Sequence, residues 1–324
     1  MTEEHKSLAI VVPCYNEEEA LEFSFARLNA LRERLVTSKL ISSSSKLYFV
    51  DDGSADQTWA TLSQLADEHD YVCALKLSHN RGHQNALYAG LCATTEDAVV
   101  SIDADLQDDP DCIEQMMQHF LEGKDVVYGV REERKKDTAF KRLSAEGYYL
   151  MMRKMGVDLV FNHADYRLLS RQALDALLSY PEHNLFLRGL VRELGFASST
   201  VSYKREERVA GESKYPLRKM LSFAWEGISA FSTAPLRAIT VLGFFSSLVS
   251  ISILCWVLLT RVFTDSALPG WASILLPLLF IGSVQLVSLG IIGEYLAKIF
   301  DEVKRRPRFH IEKSQNANKE LKTR

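Results

Sequence analysis

Short apolar runs alternate with longer amphipathic stretches between residues 8 and 130. The short runs are rich in β-branched and aliphatic residues and predict five strands, at residues 8–13, 46–53, 73–78, 98–105 and 125–130. Apolar residues recur at helical spacing in residues 17–35 and 58–69, which predicts helices between the strands. This alternation is typical of α/β domains, in which helices cover both faces of a mostly parallel sheet.

Two long uncharged stretches lie near the C-terminus. No charged residue occurs from Ala238 to Thr260, and none occurs from Ala267 to Gly293. Each stretch exceeds the roughly 20 apolar residues that cross a bilayer core about 30 Å thick. We therefore predict two transmembrane helices, at about residues 236–260 and 270–296, with a buried helical pair as the alternative.

Charge on either side of these spans predicts their orientation. Basic residues precede the first span in "PLRK" and follow the second in "KRRPR", as is typical of cytoplasmic ends. We expect a cytoplasmic domain over residues 1–233 and a basic and polar cytoplasmic tail over residues 301–324, with residues 312–324 loose. Residues 138–155 and 215–232 mix basic with aromatic and aliphatic residues, which predicts interfacial helices, with core packing as the alternative.

Composition and missing motifs exclude several classes of protein. The 324-residue chain has a net charge of -4, which does not fit the basic surface of a nucleic-acid-binding domain. Its five cysteines are scattered singly and predict reduced thiols rather than a zinc ribbon or a disulfide scaffold. Neither G-x-G-x-x-G after a strand nor a P-loop occurs, which disfavours a dehydrogenase or a P-loop enzyme.

Polar residues follow each of the first four predicted strands. The clusters are "PCYNEEE", "DDGSADQT", "SHNRGHQNA" and "DADLQDDP". Ligands bind α/β sheets beyond the carboxyl ends of the strands, and these ends meet at one edge of the sheet. The four clusters therefore predict a single site.

The fourth cluster contains Asp103 and Asp105, which point to the same face if the strand continues through them. Two close carboxylates repel each other unless a cation or a proton lies between them. Mg²⁺ or Mn²⁺ would resolve this repulsion, with Gln107 as a further oxygen ligand and substrate phosphate completing the shell. A turn or helix cap is the alternative. That role is expected for three further aspartates, Asp108, Asp109 and Asp111.

The ordered motifs resemble family 2 glycosyltransferases of the GT-A fold. They are "VVPCYNEEE", "VDDGSADQT", "NRGHQNALYAG", "DADLQDDP" and "DYRLLSRQAL". The match is to the polyprenyl-phosphate branch, which includes bacterial bactoprenol glucosyltransferases and dolichol-phosphate mannose synthases. Later segments such as "HNLFLRGL" and "ERVAGESKYPLRKM" extend the resemblance over nearly the whole chain. It implies a Rossmann-like GT-A catalytic domain followed by interfacial helices and a membrane hairpin.

The resemblance also implies roles on the donor side. The residues that would bind the nucleotide are Pro13, Tyr15, Glu17, Asp52 and Asp103. Core packing is the alternative for Tyr15. Asp105 and Gln107 would coordinate Mg²⁺ or Mn²⁺ on the diphosphate, where the ion would neutralise charge on the departing UDP.

On the acceptor side, the resemblance implies a phosphate-binding role for four residues, Arg131, Arg208, Ser213 and Lys214. Solvated surface charge is the alternative for Arg208 and Lys214. Asp165 matches the catalytic carboxylate of the family, and the catalytic set would be Asp103, Arg131 and Asp165. A phosphate acceptor is already ionised, so we expect Asp165 to position a group or to take a residual proton. Arg167 could pair with Asp165 or be an ordinary sheet-edge charge.

These features predict a metal-dependent, inverting transfer of a hexose from a UDP-sugar to undecaprenyl phosphate at the cytoplasmic face of the cell membrane. Glucose is the favoured sugar and N-acetylglucosamine the second. A processive polysaccharide synthase is disfavoured because no Q-x-x-R-W motif occurs. A phosphatase of the haloacid dehalogenase type would carry its D-x-D on the first strand, and an inactive membrane scaffold would not need the acidic residues. The resemblance implies a homo-oligomer, a tetramer in close relatives.

Overall fold

The computed structural model describes five segments, residues 5–131, 163–182, 187–204, 234–263 and 271–317. They belong to two compact units. The first contains the described residues up to Lys204 together with residues 306–317, and the second contains two long helices. The expected interfacial helices at residues 138–155 and 215–232 lie outside the described segments.

Eight strands of the described segments form one sheet. They are β1 (Leu8–Cys14), β2 (Lys46–Asp51), β3 (Val72–Leu77), β4 (Ala98–Ser101), β5 (Val126–Arg131), β6 (His163–Ser170), β7 (Ser198–Tyr203) and β8 (Ile311–Gln315). Their order across the sheet is β7-β5-β6-β4-β1-β2-β3-β8. The pairs β1–β2, β1–β4, β2–β3 and β5–β7 are parallel, whereas β6 and β8 are antiparallel to their neighbours. The predicted α/β fold class is confirmed.

Six helices of the described segments accompany the sheet. They are α1 (Glu18–Thr37), α2 (Thr58–Glu68), α3 (His83–Ala93), α4 (Cys112–Leu121), α5 (Arg171–Leu178) and α6 (Leu187–Glu193). Every residue of β1 is buried, as expected of a central strand covered on both faces. A Cβ at Gly90 in α3 would collide with the side chains of Val11 and Val50, so glycine allows α3 to lie close to the sheet.

The segment after β4 differs from the prediction. The strand ends at Ser101, and Leu106 adopts a positive φ of 42°. The Leu106 N–H donates to the Asp103 carbonyl at 3.2 Å, so residues 103–106 form a turn. Ser24 of α1 donates to the Ala104 carbonyl at 2.5 Å and holds this turn against the helix. The expectation that Asp103 and Asp105 share one face of an extended strand is therefore wrong.

The segment after the second long helix also differs from the prediction. Residues 311–315 form β8, which pairs with β3 and covers its edge. The Asn316 side chain donates to the carbonyls of Ala66 at 2.6 Å and Val72 at 3.0 Å, and Phe309 is buried. The prediction of a loose tail is therefore wrong for residues 312–316. The edge of β3 presents backbone N–H and C=O groups that can pair with an added strand, so β8 forms although its sequence has no apolar pattern.

The second unit consists of α7 (Ala234–Phe263) and α8 (Trp271–Lys304). Both are long and apolar enough to cross a membrane, over Pro235–Ile253 and Phe280–Lys304. Large apolar side chains on them are exposed, among them Phe244 and Leu286. The helices correspond to the two predicted spans, but α8 continues beyond residue 296 to Lys304.

Candidate active site

A cleft of about 280 Å³ opens at the carboxyl ends of β1, β2 and β4. The residues predicted to bind nucleotide all line it, together with the metal candidate Asp105. The lining is Pro13, Cys14, Tyr15, Glu17, Asp52, Asn80, Gly82, His83, Ala86, Asp103, Ala104 and Asp105. The polar strand ends thus meet at one edge of the sheet, as the sequence predicted, while the individual roles of these residues stay predictions.

The loops after β1 and β2 are joined by hydrogen bonds that position Tyr15. Asn16 adopts a positive φ of 52°, and its N–H donates to Ser54 Oγ at 2.9 Å. Its Oδ1 accepts from the Ala55 N–H at 2.9 Å. The Tyr15 side chain is 47% exposed at the cleft, so the alternative of core packing is wrong.

Asp52 connects the end of β2 to the loop after β3. Its two carboxylate oxygens accept the N–H groups of Arg81 at 2.7 Å and Gly82 at 2.8 Å. Burial raises the pKa of Asp52, although these two hydrogen bonds favour the ionised form. The adjacent Gly53 has a φ of 70°, and a Cβ there would lie 2.7 Å from the backbone of His79. Only glycine fits this turn.

Asp103 forms a hydrogen bond with His83, the first residue of α3. Asp103 Oδ1 lies 2.9 Å from His83 Nε2. Burial favours the neutral imidazole, but the hydrogen bond and charge of Asp103 outweigh burial and raise the pKa of His83. The predicted ligand Gln107 is buried, and its N–H donates to Asp105 Oδ1 at 3.3 Å. Gln107 therefore contacts Asp105 without lining the cleft.

The acidic pair fits a divalent ion that shares its shell with a ligand. Within the described segments, no three His, Cys, Asp or Glu side chains converge on a metal-sized centre. Asp103 and Asp105 nevertheless both reach the cleft and offer carboxylate oxygens. Mg²⁺ commonly takes one or two protein carboxylates and completes its octahedral shell with water and substrate phosphate. The donor set suits such an open site rather than a closed protein cage.

Asp165 on β6 is buried among cationic and amide donors. Asp165 Oδ1 accepts from Arg167 Nη2 at 2.9 Å, and Oδ2 accepts from Arg188 Nη2 at 3.1 Å and Gln84 Nε2 at 3.0 Å. Burial alone would raise the pKa of Asp165, but Arg188 and Arg167 outweigh it and hold the pKa well below its usual range. Arg167 therefore pairs with Asp165 as one alternative predicted. The sheet-edge alternative is wrong because β6 lies between β4 and β5.

Arg131 at the end of β5 is held by Asp108 and Tyr203. Asp108 Oδ1 accepts from Arg131 Nη2 at 3.1 Å and from Nε at 3.2 Å, and Nε also contacts the Tyr203 hydroxyl at 3.1 Å. The expectation that Asp108 only begins a helix is wrong, since the buried carboxylate pairs with Arg131 instead. Asp111 does lie at the N-cap of α4, but its carboxylate pairs with Arg27 at 2.7 Å.

Three of the predicted acceptor-binding residues, Arg208, Ser213 and Lys214, lie outside the described segments. Conversely, the site contains three residues that received no predicted role, namely His83, Gln84 and Arg188. His83 and Gln84 lie in "NRGHQNALYAG" and Arg188 in "HNLFLRGL", so the motifs contained them. Their partners are distant in sequence, and motif spacing gave no signal for these contacts.

Comparison with known proteins identifies the family. Residues 9–178 match the sequence profile of Glycosyl transferase family 2. The chain is 48% identical over 318 residues to the uncharacterized glycosyltransferase YkoT of Bacillus subtilis, covering 96% of this chain and 93% of that protein. It is 36% identical over 312 residues to the SfII prophage-derived bactoprenol glucosyl transferase of Shigella flexneri, covering 96% and 99%.

Solved structures give a more distant likeness. Mannosyl-3-phosphoglycerate synthase from Rubrobacter xylanophilus aligns with a TM-score of 0.49 and 16% identity, over 74% of this chain and 75% of that one. The family profile covers more than half of the chain, and the two relatives are matched over nearly their whole lengths. The chain belongs to glycosyl transferase family 2 and is a glycosyltransferase.

Proposed function

We propose that the protein transfers a hexose, with glucose favoured, from a UDP-sugar to undecaprenyl phosphate at the cytoplasmic face of the cell membrane. The transfer inverts the anomeric centre and uses Mg²⁺ or Mn²⁺. The observation that carries the proposal is the cleft in which Tyr15, Asp52, Asp103 and Asp105 meet. The acceptor is supported by the Shigella relative, whose name specifies bactoprenol, the undecaprenyl carrier.

The cleft offers the chemistry that a uridine nucleotide needs. The exposed Tyr15 ring presents a stacking surface for the base, and Glu17 presents a carboxylate for ribose hydroxyls. Asp52 already accepts two backbone N–H groups. A carboxylate has about four lone-pair sites, so Asp52 can also accept the uracil N–H while its position stays fixed.

Asp103 and Asp105 would hold the divalent ion against the donor diphosphate. When bound, the ion supplies Lewis-acid stabilisation of the negative charge on the departing UDP. His83 contributes to this arrangement by contacting Asp103 Oδ1 at 2.9 Å, which restricts the rotation of that carboxylate. Gln107 would position Asp105 through the hydrogen bond that its backbone N–H donates to Asp105 Oδ1.

Transfer to a phosphate does not require a strong base. A phosphate monoester has a second pKa near 6 and is largely ionised at neutral pH. Its oxygen can attack the anomeric carbon as the bond from that carbon to the UDP oxygen breaks. Arg188 and Arg167 hold the pKa of Asp165 low against the effect of burial, so this carboxylate has little tendency to accept a proton. Asp165 is therefore a positioning residue for Arg167, Arg188 and Gln84.

The two long helices support a membrane location for the lipid acceptor. Their lengths suffice for two spans, and large apolar side chains on them are exposed. Lipid would cover this apolar surface and would also hold the isoprenoid tail of the acceptor. Multi-pass insertion, cytoplasmic ends and a homo-oligomer are part of the proposal.

Incubating membranes that contain the protein with labelled UDP-sugars and undecaprenyl phosphate tests the reaction. We expect a glucose-labelled lipid product that disappears with EDTA and returns with added Mg²⁺ or Mn²⁺. Asp105→Ala should abolish the product, while membranes without the protein give the background. No lipid-linked product from any UDP-sugar would contradict the reaction, and transfer unaffected by EDTA would contradict the metal. Preferred use of UDP-N-acetylglucosamine would replace glucose as the sugar.

A further inference from the structure

A buried arginine joins two elements of the unit that contains the sheet. Arg308 is only 7% exposed. Its Cζ lies 4.4 Å from the centre of the Tyr88 ring on α3. Its Nη2 donates to the carbonyl of Tyr180 at 3.2 Å and to the carbonyl of Glu182, both in the loop after α5. The guanidinium therefore lies between a helix and a loop that are distant from each other in the chain.

These contacts fix the geometry of Arg308. A buried charge is unfavourable unless polar partners compensate it, and here the partners are backbone carbonyls and an aromatic face. Hydrogen bonds weaken steeply when their geometry changes, so the guanidinium tolerates little movement of the loop or of the ring. Phe309 packs against the same Tyr88 ring, with ring centres 6.5 Å apart, and both rings are buried. α3 is thus held at Tyr88 by two consecutive residues.

The face of α3 that carries Tyr88 also carries a contact to Asp165. Gln84 and Tyr88 stand at the i, i+4 spacing, so their side chains lie one above the other on the helix. Gln84 Nε2 donates to Asp165 Oδ2 at 3.0 Å. Because the backbone of one helical turn is rigid, a displacement of α3 at Tyr88 also displaces Gln84.

The loop that Arg308 holds leads to a second contact of Asp165. α6 follows Glu182 closely in the chain and begins at Leu187. Arg188, in the first turn of α6, donates from Nη2 to Asp165 Oδ2 at 3.1 Å. Arg308 therefore contacts α3, which contributes one donor to Asp165, and the loop that precedes α6, which contributes another.

Resting on the function proposed above, we propose that Arg308 is a positioning residue for sugar transfer. It keeps α3 and the loop after α5 at a fixed separation, so that Gln84 and Arg188 hold the Asp165 carboxylate in place. The chain reaches Arg308 only after α8 has ended at Lys304. Transfer therefore depends on a segment that follows both long helices.

Arg32 provides a matched control because it makes the same kinds of contact at the opposite end of the sheet. Its Cζ lies 4.0 Å from the centre of the Tyr71 ring, and its Nε and Nη2 donate to the carbonyls of Ser45 at 2.8 Å and Ser43 at 2.7 Å. These carbonyls precede β2 at its amino end, whereas the cleft opens at the carboxyl ends of the strands. Loss of Arg32 removes a stacked, carbonyl-bound arginine without changing the elements around Asp165.

Kinetics of the full-length protein in membranes, with UDP-glucose and undecaprenyl phosphate as substrates, test the positioning role. Arg308→Ala should lower kcat by about 100-fold, the size of effect that a small displacement of groups in an active site produces. Arg308→Lys keeps the positive charge and an N–H donor, so it should recover part of this loss. Arg32→Ala should keep the wild-type kcat, although both alanine variants lower the thermal midpoint.

Binding of UDP should be unaffected by these changes. The residues expected to hold the nucleotide, Tyr15, Glu17 and Asp52, follow β1 and β2 and do not belong to α3 or to the loop after α5. The Kd for UDP of Arg308→Ala should therefore equal the wild-type value. A weaker Kd for UDP together with the lower kcat would indicate general disruption and would overturn the positioning role.

A double-mutant cycle in kcat shows whether Arg308 acts through α3. Gln84→Ala and Arg308→Ala then disturb the same contact of Asp165, so the double variant should lose clearly less activity than the product of the two single losses. Losses that multiply in full would show that Arg308 acts independently of Gln84, and they would overturn the proposal.

The remaining outcomes separate the role of Arg308 from the reaction on which it rests. An active wild-type enzyme with unchanged kcat in Arg308→Ala overturns the positioning role alone, and so does an equal loss of kcat in Arg32→Ala. A wild-type enzyme without transfer to undecaprenyl phosphate overturns the proposed acceptor and the role in that reaction together. If Arg308→Ala does not fold, Arg308→Lys takes its place in the same comparisons, and a wild-type kcat in that variant overturns the proposal.

Discussion

At the scale of single residues, Asp165 is a buried carboxylate whose ionised form is bound by Arg167, Arg188 and Gln84. Its folded pKa lies below the unfolded value of about 3.9. The ionised group therefore stabilises the fold at every pH above about 4, and this contribution is lost as the pH falls through the folded pKa. Asp165→Asn should lower the free energy of unfolding by about 3 kcal/mol near neutral pH.

Denaturant unfolding of the detergent-solubilised full chain measures this difference. Both proteins carry His83→Gln in this comparison, because the charge of Asp165 also raises the pKa of His83. In that background the gap between the protein with Asp165 and the Asp165→Asn variant should be equal at pH 8 and pH 6 and should shrink only below about pH 4. A gap that changes between pH 8 and pH 6 would mean that Asp165 titrates there, contrary to its assignment as a positioning residue.

Gly53 and Gly123 form a natural pair for testing the turn beside Asp52. Both have a positive φ, 70° and 92°, but a Cβ at Gly53 would lie 2.7 Å from the His79 backbone, whereas nothing lies within 4 Å at Gly123. Gly123→Ala should cost about 1 kcal/mol of stability from backbone strain. Gly53→Ala should lower the free energy of unfolding by more than this amount. It should also weaken UDP binding, since Asp52 moves with the turn. Thermal midpoints and UDP titration of both variants check this, and equal effects would contradict it.

Most of the cleft residues could be predicted from the sequence, because the polar clusters at the strand ends are local patterns. Tyr15, Asp52, Asp103 and Asp105 could be predicted from motifs that follow apolar runs. Asp108 could not, since the adjacent aspartates, Pro110 and the following helix gave it an adequate local explanation. Its actual partner, Arg131, lies on another strand. Long-range ion pairs of this kind depend on sheet order, which residue spacing does not encode.

At the scale of elements, β8 joins the segment that follows the two long helices to the eight-stranded sheet. Arg308 stacks over Tyr88 of α3 at 4.4 Å and donates to the Tyr180 carbonyl at 3.2 Å, while Phe309 is buried. Truncation after Arg305 removes these contacts and exposes the edge of β3. Loss of a buried phenylalanine alone costs about 3–5 kcal/mol, so the truncated chain should be less stable by at least this amount.

Truncation after Ala317 is the matched control, because it removes none of the contacts made by residues 308–316. Thermal unfolding should give a wild-type midpoint for this variant and a clearly lower one for truncation after Arg305. Equal midpoints for the two truncations would mean that β8 contributes little to the stability of the unit that contains the sheet.

Among the elements, the sequence predicted the strands that carry their own apolar signal. The five predicted strands correspond to β1 to β5, although β4 ends earlier than its pattern indicated. β8 was missed because its sequence, "IEKSQ", is nearly all polar. An edge strand with little burial is stabilised by backbone pairing, and hydropathy does not report that. The long helices were predicted because their lack of charge is itself the signal.

At the scale of the whole molecule, the sheet constrains how the chain can cross a membrane. β3 precedes both long helices and β8 follows them, yet the two strands pair in one sheet. Segments that share a sheet lie on the same side of a bilayer, so the number of crossings between them must be even. Two crossings by α7 and α8 satisfy this condition, and the flanking basic residues favour the cytoplasm for the shared side.

Reporter fusions in a bacterial host test this topology. Alkaline phosphatase, which is active only outside the cytoplasm, should be active when inserted within residues 264–270. It should be inactive when joined to the C-terminus, where green fluorescent protein should instead be fluorescent. A fusion before α7, ending at Thr233, provides the cytoplasmic control. Phosphatase activity at the C-terminus with an inactive fusion before α7 would require an odd number of crossings, which the pairing of β3 with β8 does not allow. Phosphatase activity at both positions would contradict the cytoplasmic side.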